Sequence, residues 1–424
     1  MWLFLFGLCG RQLPAGLMVI HQPILISGDG AALIGHPKGT LLKMAADFKG
    51  AAAIIAQGKN IQLQGFSIEG SRSKTDPRAG LPPFDKTFAE FHQKTGILAD
   101  DVNGLQITDV VLRQMPAMAI IVRAGRNAKL KQLRVEDSGG FNPKGRNNAT
   151  GGVLFEDGVR EYSAESCFFI RIQGNALWTH SRYTAPRNTN GLFAKNHFEN
   201  IGRDAIQIGH ATNVRVQNND GKFIGYPGEI VDAEGGGTPV AIDTAGNVDA
   251  SVYTANTFDE INGKCIDLDG FHDGEVSRNR CTNTKPPAAY PFGHFGIVMN
   301  NTNPDMQSMG IRIFENRIEG MKYGAIFVIG SGHSIHHNTF LHLNTAHCSE
   351  SGAGCTYFAG EPDLLRSGIY FGRRAERAAV TRGNKIEDNI ISGWKMGDRC
   401  LGFAPGVDRG QQKAARNRCI SEER

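Results

Sequence analysis

Three aspartates in the middle of this 424-residue chain stand where paired-carboxylate chemistry is possible. In Ile266-Asp267-Leu268-Asp269 the apolar residues alternate with the acids. On a strand the alternation turns both carboxyls to the face opposite the core. Side chains two apart on one strand are separated by roughly 6.5–7 Å. The preceding run, Val240-Ala241-Ile242-Asp243, aligns so that Asp243 stands below Asp269, about 4.8 Å away on the neighbouring strand. Asn300 takes the same column on the following run. Two carboxyls this close raise one another's proton affinity, so one stays protonated near neutral pH while its neighbour is ionised. Glycoside hydrolysis needs such a pair, one acid and one base or nucleophile. Asp267 with Asp269 is at the separation that admits a water and favours inversion. Asp243 with Asp269 is near the retaining distance. The competing structural explanation is a solvated strand face with no chemistry.

The strands that would carry these acids belong to a repeat. Asn196, Asn218, Asn256, Asn279, Asn316 and Asn338 follow at steps of 22, 38, 23, 37 and 22 residues, most with an apolar residue two places on. The long steps read as one 22-residue unit plus an inserted loop. A fixed period in the twenties is the signature of a solenoid. Each unit opens on a short period-two alternation, such as Ala205-Ile206-Gln207-Ile208 or Ala325-Ile326-Phe327-Val328, which means strand and not helix. No helical crossovers separate the strands, so a doubly wound sheet is excluded. The remaining way to stack them is an all-β parallel β-helix, with the asparagines serving corners and a hydrogen-bonded ladder. The expected organisation is a cap or signal remnant over 1–23, about ten to twelve coils over 24–393, and an irregular extension over 394–424.

This pattern, with Leu13-Pro14-Ala15-Gly16 at its start, resembles the right-handed parallel β-helix (pectin-lyase-like) superfamily of pectate lyases, polygalacturonases and alginate epimerases. The resemblance implies an extended-glycan substrate and a secreted or periplasmic location. The order of acids is similar to a diverged polygalacturonase pattern. Asp243 matches its first element, Asp267 or Asp269 its second, Gly293-His294-Phe295-Gly296 its third and Arg312 its fourth. The aspartates are not adjacent, Phe295 interrupts the Gly-His-Gly, and Phe314 replaces a lysine, which points away from galacturonan itself. The second reading is a polysaccharide lyase or C5-epimerase with His, Lys or Arg as base, in which Glu229, Asp232 and Glu234 could hold Ca²⁺. Otherwise no metal or cofactor is expected. A third reading is a non-catalytic glycan-binding or structural solenoid, with Trp178, Phe327 and Tyr370 as stacking platforms.

Loops carry sites on a rigid scaffold. Residues 71–95 contain a short amphipathic helix, expected to pack on the solenoid. Residues 139–151, 179–191, 225–239, 284–295 and 344–366 are the other insertions, and three of them could wall a groove. His180, Arg182, His210, His272, His294, Asn300 and Arg312 are the expected groove-lining residues, the arginines suited to bidentate contact with carboxylate or sulfate.

Composition sets outer bounds. The 53 glycines suit a fold rich in corners, and a net charge of +4 permits a polyanion without demanding one. No basic run interleaved with aromatics suggests nucleic acid. The apolar Met1–Gly10 segment is too short to span a bilayer. The eight cysteines form no CxxC pair. Cys348 with Cys355, and Cys400 with Cys419, have spacings that disulfides can bridge. Cys167, Cys265 and Cys281 read equally well as buried thiols.

Overall fold

A computed structural model describes residues 5–6, 11–348 and 366–423. The chain has two compact units, Met1–Val214 with Tyr226–Gly237, and Arg215–Gly225 with Thr238–Arg424. Each is built of short parallel strands that pair coil upon coil, the parallel β-helix expected from the repeat. The α-helices among the described residues are Arg72–Thr75 and Phe88–Phe91.

In the second unit one strand column runs through Val240–Asp249, Lys264–His272, Ile297–Asn300, Ile326–Val328, Ile369–Phe371 and Leu401–Phe403. Ile242, Ile266, Ile297, Ile326, Ile369 and Leu401 stack in register along it. A second column stacks Phe258, Cys281, Ile318, Phe340, Ile391 and Cys419. Nearly every member of these two columns is fully buried. The segment expected to be an irregular extension instead adds a further coil, because Leu401–Phe403, Lys413–Ala415 and Arg418–Glu422 each pair with the strand before. At the other end Arg11–Gln12 and Gly16–Ile20 already pair with Ala32–Ile34 and Thr40–Met44, so coil structure begins before residue 24.

The asparagine ladder is confirmed with two corrections. Its rungs in the second unit are Asn219, Asn256, Asn279, Asn316, Asn338, Asn389 and Asn417, each amide nitrogen donating to the next Oδ1 at 2.8–3.0 Å. Asn219, not Asn218, is therefore the rung. The left-handed residue at each corner is the one before the rung: Asn218, Ala255, Arg278, Glu315, His337, Asp388 and Arg416, all with φ between 54° and 56°. Asparagine is used for its two-sided side chain, which also caps a buried carbonyl, as Asn316 Nδ2 caps Val276 O. The corner conformation is imposed on whatever residue precedes it.

Cys400 and Cys419 are bonded, as their spacing allows. Cys265 and Cys281, read also as free thiols, are bonded too, since both face the same core cross-section. Cys167 is a buried thiol, its ionisation pushed up to about 12 by burial. Cys348 is disulfide-bonded, and Cys355 lies outside the described residues.

In the first unit the outward column Leu98, Ile121, Leu154 and Trp178 is apolar. Such a face must be covered, and the expected helix covers it. Thr87 and Glu90 form a capping box at its start, and Phe88 and Ala89 join Ile121, Leu154 and Trp178 in one buried cluster. Glu156 is fully buried beneath it and accepts from the backbone N–H groups of Phe88 (2.6 Å) and Ala89 (3.2 Å). Burial raises its proton affinity from the ordinary 4.5 to about 7. A carboxyl that holds its proton longer when folded contributes stability below the unfolded value and loses it as pH rises through the folded one. Glu156→Gln cannot titrate. Denaturation midpoints of parent and variant are therefore expected to diverge in the variant's favour between pH 4.5 and 7. A pH-independent difference would show that Glu156 is ionised throughout.

Candidate active site

The second unit holds Asp243, Asp267 and Asp269 on the outward side of Val240–Asp249 and Lys264–His272. The ladder pairs Ile242 with Ile266 and Ala245 with Asp269. Asp243 therefore shares its column with Asp267 and not, as the sequence alignment had it, with Asp269. Asp269 pairs with Asn300, as expected. The shift of one same-face position arises because Val240 pairs with Lys264, two residues earlier than the apolar run at Ile266 suggests.

The outward face is nonetheless largely covered. Asp243 is 8% exposed and Asp267 5%. Lys264 is ion-paired to Asp267 Oδ2, while Asp267 Oδ1 is buried with no hydrogen-bond partner. Asp269 Oδ1 accepts from Thr302 N at 2.9 Å. Burial first, and then the neighbouring Asp267, push the Asp269 carboxyl up from 3.8 to about 6. A carboxyl that holds its proton longer than usual suits the acid's part in acid–base work.

His294 lies beside the same cluster. Burial, with Lys264 and then Lys322 nearby, holds its imidazole well below the ordinary value, so it is neutral. Lys322 Nζ reaches Tyr290 O at 3.3 Å, and Tyr290 OH donates to Glu260 at 2.6 Å, which ties the 284–295 insertion to the coil. Lys264 was not singled out from the sequence. Its position three residues before Asp267, at the strand start, was the available signal.

The other expected residues have different partners. His272 bonds Asn247 through Nε2 (2.9 Å) and Asp273 through Nδ1 (3.1 Å). Arg312 donates to Glu275 at 2.6 Å, in the column of Glu275–Ser277 and not that of the aspartates. In the first unit Arg182 donates through Nε to Asp157 (2.9 Å) and through Nη1 to Asp85 O (3.1 Å), so it joins loops. His180 meets Phe88 edge-on at 5.8 Å, and burial lowers its pKa to about 4. His210 lies against Tyr183, ring centroids 4.1 Å apart. Trp178, Phe327 and Tyr370 are buried and offer no stacking surface. Of Glu229, Asp232 and Glu234, Asp232 accepts from Asn142 (2.9 Å) and Glu234 faces Lys144 (3.8 Å). Among the described residues no group of three His, Cys, Asp or Glu is placed to hold a metal ion.

No protein-family model and no curated sequence matches the chain. Solved structures do. The Streptococcus pneumoniae surface adhesin PfbA aligns with TM-score 0.55 at 13% identity, over 78% of this chain and 82% of that one. The Dettilon tailspike protein aligns with TM-score 0.56 at 14%, over 84% and 61%. The GH136 lacto-N-biosidase of Eubacterium ramulus aligns with TM-score 0.54 at 11%, over 95% and 63%. The fold they share with this chain is the parallel β-helix. The chain thus spans about three-fifths of the tailspike and the lacto-N-biosidase. At these identities the likeness is one of fold, and the same scaffold serves adhesin, tailspike and glycosidase. Function has to be argued from the site. No helix among the described residues is long and apolar enough to cross a membrane.

Proposed function

We propose that this protein hydrolyses a glycosidic bond in an extended glycan, with Asp269 as general acid and Asp267 as the base that activates water. The observation that carries the reading is the pair itself. Two carboxyls lie two residues apart on one outward strand face, one holding its proton up to about pH 6 and the other ion-paired with a buried, unbonded oxygen. Their strand spacing, roughly 6.5–7 Å, lies in the inverting range. Asp243, one strand away in the Asp267 column, adds a third carboxyl to the cluster. The two described disulfides fit an oxidising compartment, which supports export.

Elimination is the second reading, favoured by one observation: a neutral His294 beside Lys264 supplies bases of the kind a lyase needs. A panel of neutral and uronate-containing polysaccharides separates the readings. Hydrolysis releases reducing ends with no new ultraviolet absorbance. Elimination releases both, and a binding protein releases neither. Ultraviolet-absorbing product on any substrate would overturn the hydrolytic assignment.

A further inference from the structure

The first unit contains a groove of about 730 Å³ at the bend between its two strand columns, lined in part by Lys59, Arg126, Arg160, Asp100, Asp101 and Asp157. Lys59, Asn103, Arg126 and Arg160 occupy successive rungs of one register column. Rungs are about 4.8 Å apart, so Arg126 and Arg160 are immediate neighbours and Lys59 lies roughly 10 Å from Arg126. All three cations are exposed. Like charges directly opposite across strands are unfavourable. None of the three has an ion-pair partner among the described residues, whereas two of the three acids in the groove are already neutralised. Asp100 is held bidentately by Arg123 at 2.9 and 2.7 Å, and Asp157 Oδ2 is held by Arg182 Nε and Nη2 at 2.9 and 2.7 Å. Asp101 is the groove's unpaired acid, and Asp29, one rung beyond Lys59, is capped by Asn60 at 2.8 Å. Three unpaired cations against two acids without an ion-pair partner, Asp101 in the groove and Asp29 at its edge, leave the groove positive.

We infer that this groove binds an anionic glycan, laid along the stack so that its carboxylates or sulfates meet Lys59, Arg126 and Arg160 in turn. Gln57 and Asn103, which also line the groove, supply amides for sugar hydroxyls. No aromatic side chain lines it, so it lacks the platforms on which single-stranded nucleic acid stacks. The inference rests on the first unit alone and not on the catalytic reading of the second.

The test uses the full chain carrying Asp269→Asn, so that binding is read without turnover. Sodium polygalacturonate, dextran sulfate, neutral dextran and an oligo-dT strand are titrated at several salt concentrations. One of the two anionic glycans is expected to bind and neutral dextran not. The triple variant Lys59→Gln, Arg126→Gln, Arg160→Gln is expected to weaken binding by about tenfold or more. Its plot of log affinity against log salt should be shallower by roughly two to three. The charge-conserving triple Lys59→Arg, Arg126→Lys, Arg160→Lys should keep most of the affinity. These exposed positions should leave the melting temperature unchanged in both triples. Failure of the parent to bind either anionic glycan overturns the inference, as does parental affinity in the glutamine triple. Oligo-dT bound as tightly through the same three residues overturns the assignment to glycan.

Discussion

Asp269→Asn is expected to lower turnover on a cleaved glycan by about 10²–10⁴-fold, the usual cost of losing a positioned acid. Asp267→Asn should fall in the same range, because it removes the base and leaves Lys264 facing an amide. Asp243→Asn should cost less, since Asp243 acts through its neighbours. The pH profile carries the sharper signature. An acid with its pKa raised to about 6 does its work while protonated, so kcat/KM should fall as pH rises through about 6. Asp269→Asn should lose that limb of the profile. Stability should move the other way. The raised Asp269 contributes stability below 3.8 that is lost as pH climbs to about 6, so the amide variant should melt no lower than the parent at pH 7. A loss of turnover with unchanged melting assigns chemistry. Near-parental turnover in all three variants would sink the carboxylate site and turn attention to His294 and Lys264.

The largest stability effect is expected at the ladder. Asn316 is 1% exposed and its Oδ1 accepts from both Asn279 N and Asn279 Nδ2 at 3.0 Å. Its own Nδ2 donates to Val276 O, Phe314 O and Asn338 Oδ1 at 2.9–3.1 Å. Asn316→Ala strands two buried donors of Asn279 and leaves the Val276 carbonyl uncapped. Each buried group left without a partner costs about 1–3 kcal/mol, so a loss of about 2–5 kcal/mol is expected. The urea midpoint should drop with the slope unchanged. Asn316→Asp keeps the acceptor and removes the donors, so it should show which half of the amide matters. If Asn316→Ala lies within about 0.5 kcal/mol of the parent, the ladder is decorative and the apolar columns alone hold the coils.

Much of this was legible before any coordinates. The 22-residue period, the two-residue alternation and the absence of helical crossovers admit one way of stacking strands. The helix in the 71–95 insertion was readable from the amphipathic run over 84–91, of which Phe88–Phe91 is helical with Phe88 and Ala89 buried. The amino-acid order also placed Asp267, Asp269 and Asn300 correctly, because alternation along one strand is a local property.

What crosses between coils was not legible. The inserted loops hide how many residues separate one rung from the next, so Asn218 and Asn219 are equivalent in sequence and only stacking selects Asn219. The same blindness put Asp243 beneath Asp269, because register is decided by where two distant strands begin. Partnership is likewise a tertiary matter: Arg182 and Arg312 look like free cations until Asp157 and Glu275 arrive from other coils. Burial completes the list. Trp178, Phe327 and Tyr370 sit on outward positions that a lone coil would expose, and their burial depends on the rest of the fold. The sequence by itself determined the repeating unit and the chemistry available on each strand. The tertiary structure decided which of those groups face one another, and hence that burial beside Asp267 raises the proton affinity of Asp269 while Lys264 holds Asp267.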